Sequence, residues 1–496
     1  MCALRDYQEA FVRNIAISLN KNKKIVAQLA TGGGKTVCFA EICKRFNARS
    51  GQSVLILVHR KELLFQACKT LKAFNDIAAQ PIIAGMKHVP ESPVYVGMVE
   101  SAHRRKELIK NVGLVIIDEC HLGNFTKVIE SYSDTLIIGF SATPLAANKA
   151  KPLKNFFNSI VCGIDINELI AQGHLVQDIT FASPISPDMS GVKISGGDYN
   201  DKMMGDIFSN EKYISSTVEV YRKYAECAKS IVFNCNVEHS KIVTQAFVDA
   251  GFNARHIDGE CDKKERAEIL TWFASNDDAI LCNVGIATTG FDQPDIQAVI
   301  INKATLSMPL WLQMCGRGGR THPSKNLNII LDMGDNATKH GLWSAKRDWE
   351  DLFFNPKKKG NGLPPTKTCP ECEAKVHARL LICPYCNHVF EVKPIVEVTQ
   401  RTVLEVINKG IDVEYLIAKN QEKKDYFTFF EIPRTLAKQM KKIDDEAIAL
   451  VREENLRLIK IWCKNKKKQF NKWHRDTADN ELNKQLKIKF EKYLVS

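Results

Sequence analysis

Residues 24–47 read as three consecutive pieces: the apolar run Lys-Ile-Val-Ala-Gln-Leu, the turn Ala30-Thr31-Gly32-Gly33-Gly34, and an amphipathic segment that opens on Lys35 and Thr36. A buried strand turning through glycines straight into a helix leaves few folds open. Glycines let backbone N–H groups close on an anion, and the helix N-terminus adds partial positive charge. The arrangement predicts a phosphate-binding loop for ATP, lined by Thr31, Gly32, Gly33 and Gly34. Lys35 would reach the β- and γ-phosphates, and the Thr36 hydroxyl would coordinate Mg2+. The position where such loops usually begin with glycine holds Leu29.

The same alternation runs on. Apolar runs at 54–58, 94–98, 114–117 and 136–140 read as buried parallel strands, with helices over 36–47 and 61–74 between them. A second half repeats the plan, with strands at 230–235, 254–257, 279–283, 298–301 and 327–332 and helices over 240–250 and 264–274. The expected fold class is therefore α/β, two doubly wound parallel-sheet domains in tandem. The join falls near 162–177, dividing the chain into 1–163 and 164–356. A chain of 496 residues is too long for one core. It contains no apolar run long enough for a membrane span and no charged-then-apolar start, so the expectation is a cytoplasmic protein without a membrane partner.

Asp118 and Glu119 follow the apolar run Leu114-Val115-Ile116-Ile117. A carboxylate at the tip of a buried strand is costly unless a cation meets it. Asp118 is expected on the Mg2+ side, and Glu119 as the group that orients or deprotonates the attacking water. Much later come Arg317 and Arg320, whose spacing of three predicts one shared helix face. Arginines brought from a second domain to the γ-phosphate would couple hydrolysis to closure of the two halves.

With these three segments in order, the chain resembles the superfamily 2 helicases, in particular the group with an Asp-Glu-Cys-His box, here Asp118 to His121. The resemblance covers roughly residues 1–350 and implies two RecA-like domains. It implies that Gln8, in Leu4-Arg5-Asp6-Tyr7-Gln8, reads adenine, with Arg5 beside it. His59, Arg60, Glu100 and Ser101 match nucleic-acid-contacting motifs of the first domain, and Ser141-Ala142-Thr143 matches the segment that links hydrolysis to strand movement, with His121 a further coupling residue. In the second half Asn234, Thr288 and Thr289 are implied to face nucleic acid, and Gly290 and Asp292 the nucleotide. Gln313, Arg317 and Arg320 fall on the last motif. Gln313 stands where the DEAD-box branch has His, and 168–175 is similar to the interdomain segment of bacterial and phage DNA helicases. The overall plan is similar to RadD-type repair helicases.

Residues 357–366 read as a linker. Beyond it, Cys369-Pro-Glu-Cys372 and Cys383-Pro-Tyr-Cys386 make two knuckles suited to tetrahedral Zn2+, a four-cysteine zinc module over 367–395. His377 and His388 are left out of the ligand set. The remaining cysteines are scattered singly, as in a reducing compartment. Residues 396–496 read as basic and mainly helical. From 357 onward 29 Lys and Arg face 19 Asp and Glu, whereas 1–356 is nearly neutral at 40 against 38. A basic tail beside a nucleotide motor points to a polyanion partner. Trp462, Phe470 and Trp473 either stack on bases or form the buried stripe of a small helical domain. The reading is a DNA helicase or translocase acting on single-stranded or branched DNA in replication, recombination or repair, with RNA unwinding or a restriction-complex translocase as alternatives.

Overall fold

A computed structural model of the chain describes residues 4–123, 125–146, 151–285, 293–356 and 365–390. Thr288, Thr289, Gly290 and Asp292, most of the 357–366 linker and the whole region 396–496 lie outside the described residues.

The first sheet has seven strands: β1 (Lys24–Gln28), β2 (Ser53–Val58), β3 (Gln80–Ile82), β4 (Val94–Met98), β5 (Val112–Ile117), β6 (Leu136–Ser141) and β7 (Ser159–Cys162). They lie in the order β3-β4-β2-β5-β6-β1-β7, all parallel. Parallel strands covered on both faces need apolar side chains at every position, and β2 is buried along its full length. One face packs on Phe11, Phe39 and Phe140, the other on Tyr95, Phe125 and Phe157. The edge strands β3 and β7 escape a reading by apolar runs because they are short and partly solvated.

The second half opens with β8 (Gln177–Ala182) and a separate hairpin, β9 (Ile194–Ser195) and β10 (Asp198–Tyr199). It continues with β11 (Ser230–Asn234), β12 (Ala254–Ile257), β13 (Ile280–Asn283), β14 (Ala298–Asn302) and β15 (Leu327–Asp332). The cysteine segment adds β16 (Thr366–Thr368) and β17 (Ala374–His377). The sheet order is β12-β13-β11-β14-β15-β8-β17-β16, parallel as far as β8. These two sheets with their helices are tandem RecA-like domains of the α/β class.

The last two strands join antiparallel, Ala374 beside Phe181 and Lys375 beside Thr180. The cysteine hairpin thus closes the edge that β8 would otherwise expose. The Tyr385 hydroxyl donates to the Asp178 carbonyl at 3.0 Å, and Lys223 meets Glu373 at 2.7 Å. At its other end β8 is fed by Leu175 and Val176. Leu175 bridges to Arg320, and the Val176 amide donates to the Gly319 carbonyl at 2.9 Å. Among the described residues no helix is long and apolar enough to cross a membrane.

Candidate active site

The turn after β1 takes its shape from residues around it. Gly32 and Gly34 sit at φ of 86° and 84°, where side chains are strained. A Cβ on Gly34 would stand 2.4 Å from the Gln8 amide nitrogen, and one on Gly32 2.6 Å from Leu175. Leu29, the departure from the usual loop, is fully buried and packs under Gly33, where a Cβ would meet it at 2.9 Å. The larger residue therefore serves as a floor to the loop, not an obstruction to it.

Two side chains from the amino-terminal helix Asp6–Leu19 hold the loop from above. Gln8 donates to the Gly33 carbonyl at 3.2 Å, and the Tyr7 hydroxyl donates to the same oxygen at 3.1 Å. Gln8 also accepts the Arg5 backbone amide at 3.1 Å. Tyr7 was not singled out from the sequence. Its only signal there is an aromatic ring directly before Gln8, and its contact with Gly33 spans 26 positions.

Lys35 begins the helix Lys35–Ser50 and reaches across to β5. Its Nζ lies 3.1 Å from Glu119 Oε1, with side-chain exposures of 14% and 16%. Burial works against the Lys35 charge, but the carboxylates of Glu119 and Asp118 outweigh it and hold its pKa above the ordinary value. Burial also opposes the Glu119 charge, yet Lys35 and His121 hold that carboxyl low. Asp118 is left with the deficit: burial and the Glu119 charge push it up to about 7 against the pull of Lys35. Glu119 itself sits at φ 50°, a left-handed conformation that a non-glycine residue rarely takes.

His121 carries the arrangement towards the second half. Its Nδ1 is 3.3 Å from Glu119 Oε2 and 3.0 Å from Ser141 Oγ, which also accepts the Thr143 amide at 3.0 Å. Its Nε2 is 3.4 Å from the side-chain nitrogen of Gln313. Burial holds the His121 pKa below the ordinary value. Beside it a cavity of about 620 Å³ is lined by His59, Arg60, Glu119, His121, Leu145 and Gln313, among others. His59 and Arg60 lie at the end of β2, and Glu100 and Ser101 in the helix Val99–His103 after β4, at the same edge of the sheet.

Two expectations need correction. Arg317 and Arg320 do not share a helix face, because the helix Met308–Cys315 ends before them with Gly316 as its cap. Arg317 lies in the turn, and Arg320 pairs with Leu175. The helix stops because the chain passes tightly through its neighbours: a Cβ on Gly318 would fall 2.0 Å from Asn328, and one on Gly319 2.3 Å from Trp343. The segment still meets the phosphate loop, since a Cβ on Gly316 would stand 3.2 Å from Thr31. Asn234, expected to face nucleic acid, is 2% exposed. Its side chain binds Ser240 at 3.0 Å and Asn302 at 3.2 Å, which pins the end of β11 inside the core.

Apart from this site, the thiols of Cys369, Cys372, Cys383 and Cys386 gather with all four sulfurs within 4.8 Å of one another.

Residues 1–146 match the family model described as type III restriction enzyme, res subunit, and residues 212–322 match the helicase conserved C-terminal domain. A 51.5 kDa protein of a Lactococcus phage is 31% identical over 371 residues, 74% of this chain and 78% of the phage protein. A Saccharomyces cerevisiae protein named as an ATP-dependent helicase, IRC3, is 31% identical over 365 residues, 69% of this chain. The match spans only about half of the yeast protein, 53%. In fold, the chain is similar to a fragment named as the HsdR subunit of a type I restriction enzyme from Vibrio vulnificus YJ016. The TM-score is 0.55 with 21% identity, over 71% of this chain and 67% of that one.

Proposed function

The chain belongs to the superfamily 2 helicases, ATP-dependent enzymes that act on nucleic acid, and from that premise we propose that it is a DNA motor whose hydrolytic site is completed by its second half. The observation that carries this reading is the line Lys35–Glu119–His121–Gln313, which runs from the phosphate loop to the opposite domain through contacts of 3.1, 3.3 and 3.4 Å.

In this reading Lys35 and the loop amides of 31–34 grip the phosphates of ATP, and Gln8 exchanges part of its bonding to Gly33 for adenine, with Arg5 at the rim. Glu119 orients the attacking water, and Arg317 and Arg320 stabilise charge on the γ-phosphate. Asp118, at the end of β5 with its charge opposed by burial and by the neighbouring Glu119, fits a magnesium ligand. Thr36 is the matching hydroxyl. Bound Mg2+ supplies charge neutralisation to the phosphates. His121, Gln313, Ser141 and Thr143 carry the state of the site across the cleft, and His59, Arg60, Glu100 and Ser101 meet the strand at the sheet edge.

The four thiols fit Zn2+. Cys369 and Cys386 sulfurs are 3.6 Å apart, Cys372 and Cys383 3.7 Å. A tetrahedron of Zn–S bonds of about 2.3 Å requires separations of about 3.8 Å. DNA is favoured over RNA by Gln313 in place of the DEAD-box His and by the segment 168–175. A translocase subunit of a restriction complex is the second reading, favoured by the family model over residues 1–146. The scattered thiols suit a reducing cytoplasm.

The test compares ATP turnover with single-stranded DNA, branched DNA and RNA at stated salt, with Lys35→Ala as control. DNA-stimulated turnover that Lys35→Ala abolishes supports the motor, and turnover indifferent to all three polymers removes it. Stronger stimulation by RNA would reassign the substrate.

A further inference from the structure

After β8 the chain leaves the second sheet to form the hairpin β9–β10. Its turn is Gly196-Gly197, at φ of 62° and 93°, as a two-residue hairpin turn demands. Ile194 projects outward at 65% exposure. Asp198, at the far side of the turn, is bound inward. One carboxylate oxygen accepts the Leu306 amide at 2.7 Å and the other accepts the Thr305 hydroxyl. The neighbouring residues tie down the same region: Lys339 donates to the Tyr199 hydroxyl at 3.0 Å, and Lys303 meets Asp201 at 3.2 Å.

Thr305 is fully buried and every polar group it has is engaged. Its amide donates to Asn336 at 2.9 Å, and its carbonyl accepts from His340 Nε2 at 2.9 Å. Its hydroxyl donates to Asp198 while accepting the Ser307 amide at 3.0 Å. Ser307 then caps the helix Met308–Cys315, accepting the Leu310 amide at 3.3 Å. Gln313 sits in that helix, 3.4 Å from His121 of the other half.

We propose that Asp198 is a positioning residue for the ATPase reaction: it fixes the start of the Gln313 helix, so that the Gln313 amide meets His121 when the halves are closed. The inference rests on the reading of Gln313 as a coupling group. An exposed hairpin holding the buried Thr305 by a charged hydrogen bond is a costly way to pack a loop, since a carboxylate near buried groups must be met by donors. It is a direct way to set a helix axis. Displacement of a site group by about 1 Å can cost roughly a hundredfold in rate.

The experiment uses the full chain with Asp198→Asn, Thr305→Val, their double variant, Thr305→Ser and Gln313→Ala, measuring kcat and KM for ATP with DNA present, and Tm. Asp198→Asn and Thr305→Val should each lower kcat by about tenfold or more while KM stays within about twofold. Thr305→Ser, which keeps the hydroxyl, should stay within about twofold of the parent, and the double variant should be no worse than either single one. Wild-type kcat in Asp198→Asn beside an impaired Gln313→Ala overturns the positioning role alone. So does a rate loss that multiplies in the double variant, or one that moves together with KM and Tm. Normal turnover in Gln313→Ala overturns the coupling reading, and the role of Asp198 falls with it.

Discussion

His121 and Gln313 touch across the cleft, Nε2 to Nε2 at 3.4 Å, although 192 positions separate them. An amide nitrogen only donates, so His121 Nε2 accepts and its Nδ1 carries the proton. That proton faces Ser141 at 3.0 Å and Glu119 at 3.3 Å. One neutral ring thereby touches the Glu119 carboxylate on one side and the opposite domain on the other.

Removing that ring should separate chemistry from coupling. His121→Ala is expected to keep basal ATP turnover within about fivefold while DNA stimulation falls by about tenfold or more. Parallel measurement of basal and stimulated rates checks this, and equal losses in both would show that His121 serves hydrolysis alone.

Lys35 and Glu119 neutralise each other at 3.1 Å, and their variants should differ in kind. Lys35→Ala removes the lysine from beside Glu119 and should weaken ATP binding as well as stop turnover. Glu119→Gln should bind ATP within about threefold of the parent yet lose about a hundredfold or more in kcat. Titration with a fluorescent ATP analogue and single-turnover hydrolysis distinguish the two, and full activity in Glu119→Gln would end the assignment of that residue.

The cysteine hairpin carries a structural expectation. About one Zn2+ per chain should be found by atomic absorption, and Cys383→Ser should lose it. Because Ala374 and Lys375 pair with Phe181 and Thr180, loss of the metal should raise amide exchange in β8 by about tenfold or more. Unchanged exchange in metal-free protein would show that the hairpin holds the edge of the sheet without the ion.

Two buried histidines should withdraw stability on mild acidification, against the opposite pull of Asp118, whose raised pKa favours the folded state as pH falls. Burial pulls both His239 and His340 down to about 4. Their unfolded values lie near 6.5, so between these pH values the unfolded chain binds more protons. The associated stability is fully present above about pH 6.5 and is lost as pH falls towards 4. From pH 7 to pH 5 each histidine costs about 2 kcal/mol. Tm of the parent and of His340→Gln at pH 7, 6 and 5 checks this: the parent should lose more than the variant as pH falls, and parallel curves would remove the His340 contribution.

Much of the fold was legible because parallel strands buried on both faces spell themselves as apolar runs, β2 and β5 most plainly. Short edges such as β3, β7 and β16 were not, since a strand with one solvated side needs no such run. The Arg317 segment misled for a related reason: spacing by three suggests a helix, but the glycines there are hollows for Asn328 and Trp343, which only the packed second sheet brings near. Asn234 misled because a polar residue at a strand end looks alike whether it faces solvent or the Ser240–Asn302 network. Nothing local marks Asp198, and nothing local tells what Tyr7, Leu175 or Tyr385 will touch, because their partners are remote in the chain.

The sequence by itself determined the strand–loop–helix that carries Lys35, the acidic box at the end of an apolar run, and the four cysteines at metal spacing. Each is a short-range pattern, set by residues within one or two turns of chain. Tertiary structure alone decided that Lys35 meets Glu119 across 84 positions, that Gln313 meets His121 across 192, and that the cysteine hairpin extends the second sheet. Those meetings depend on strand order and on which side chains fill which gaps, and a linear chain stores that information only in the sum of its packing.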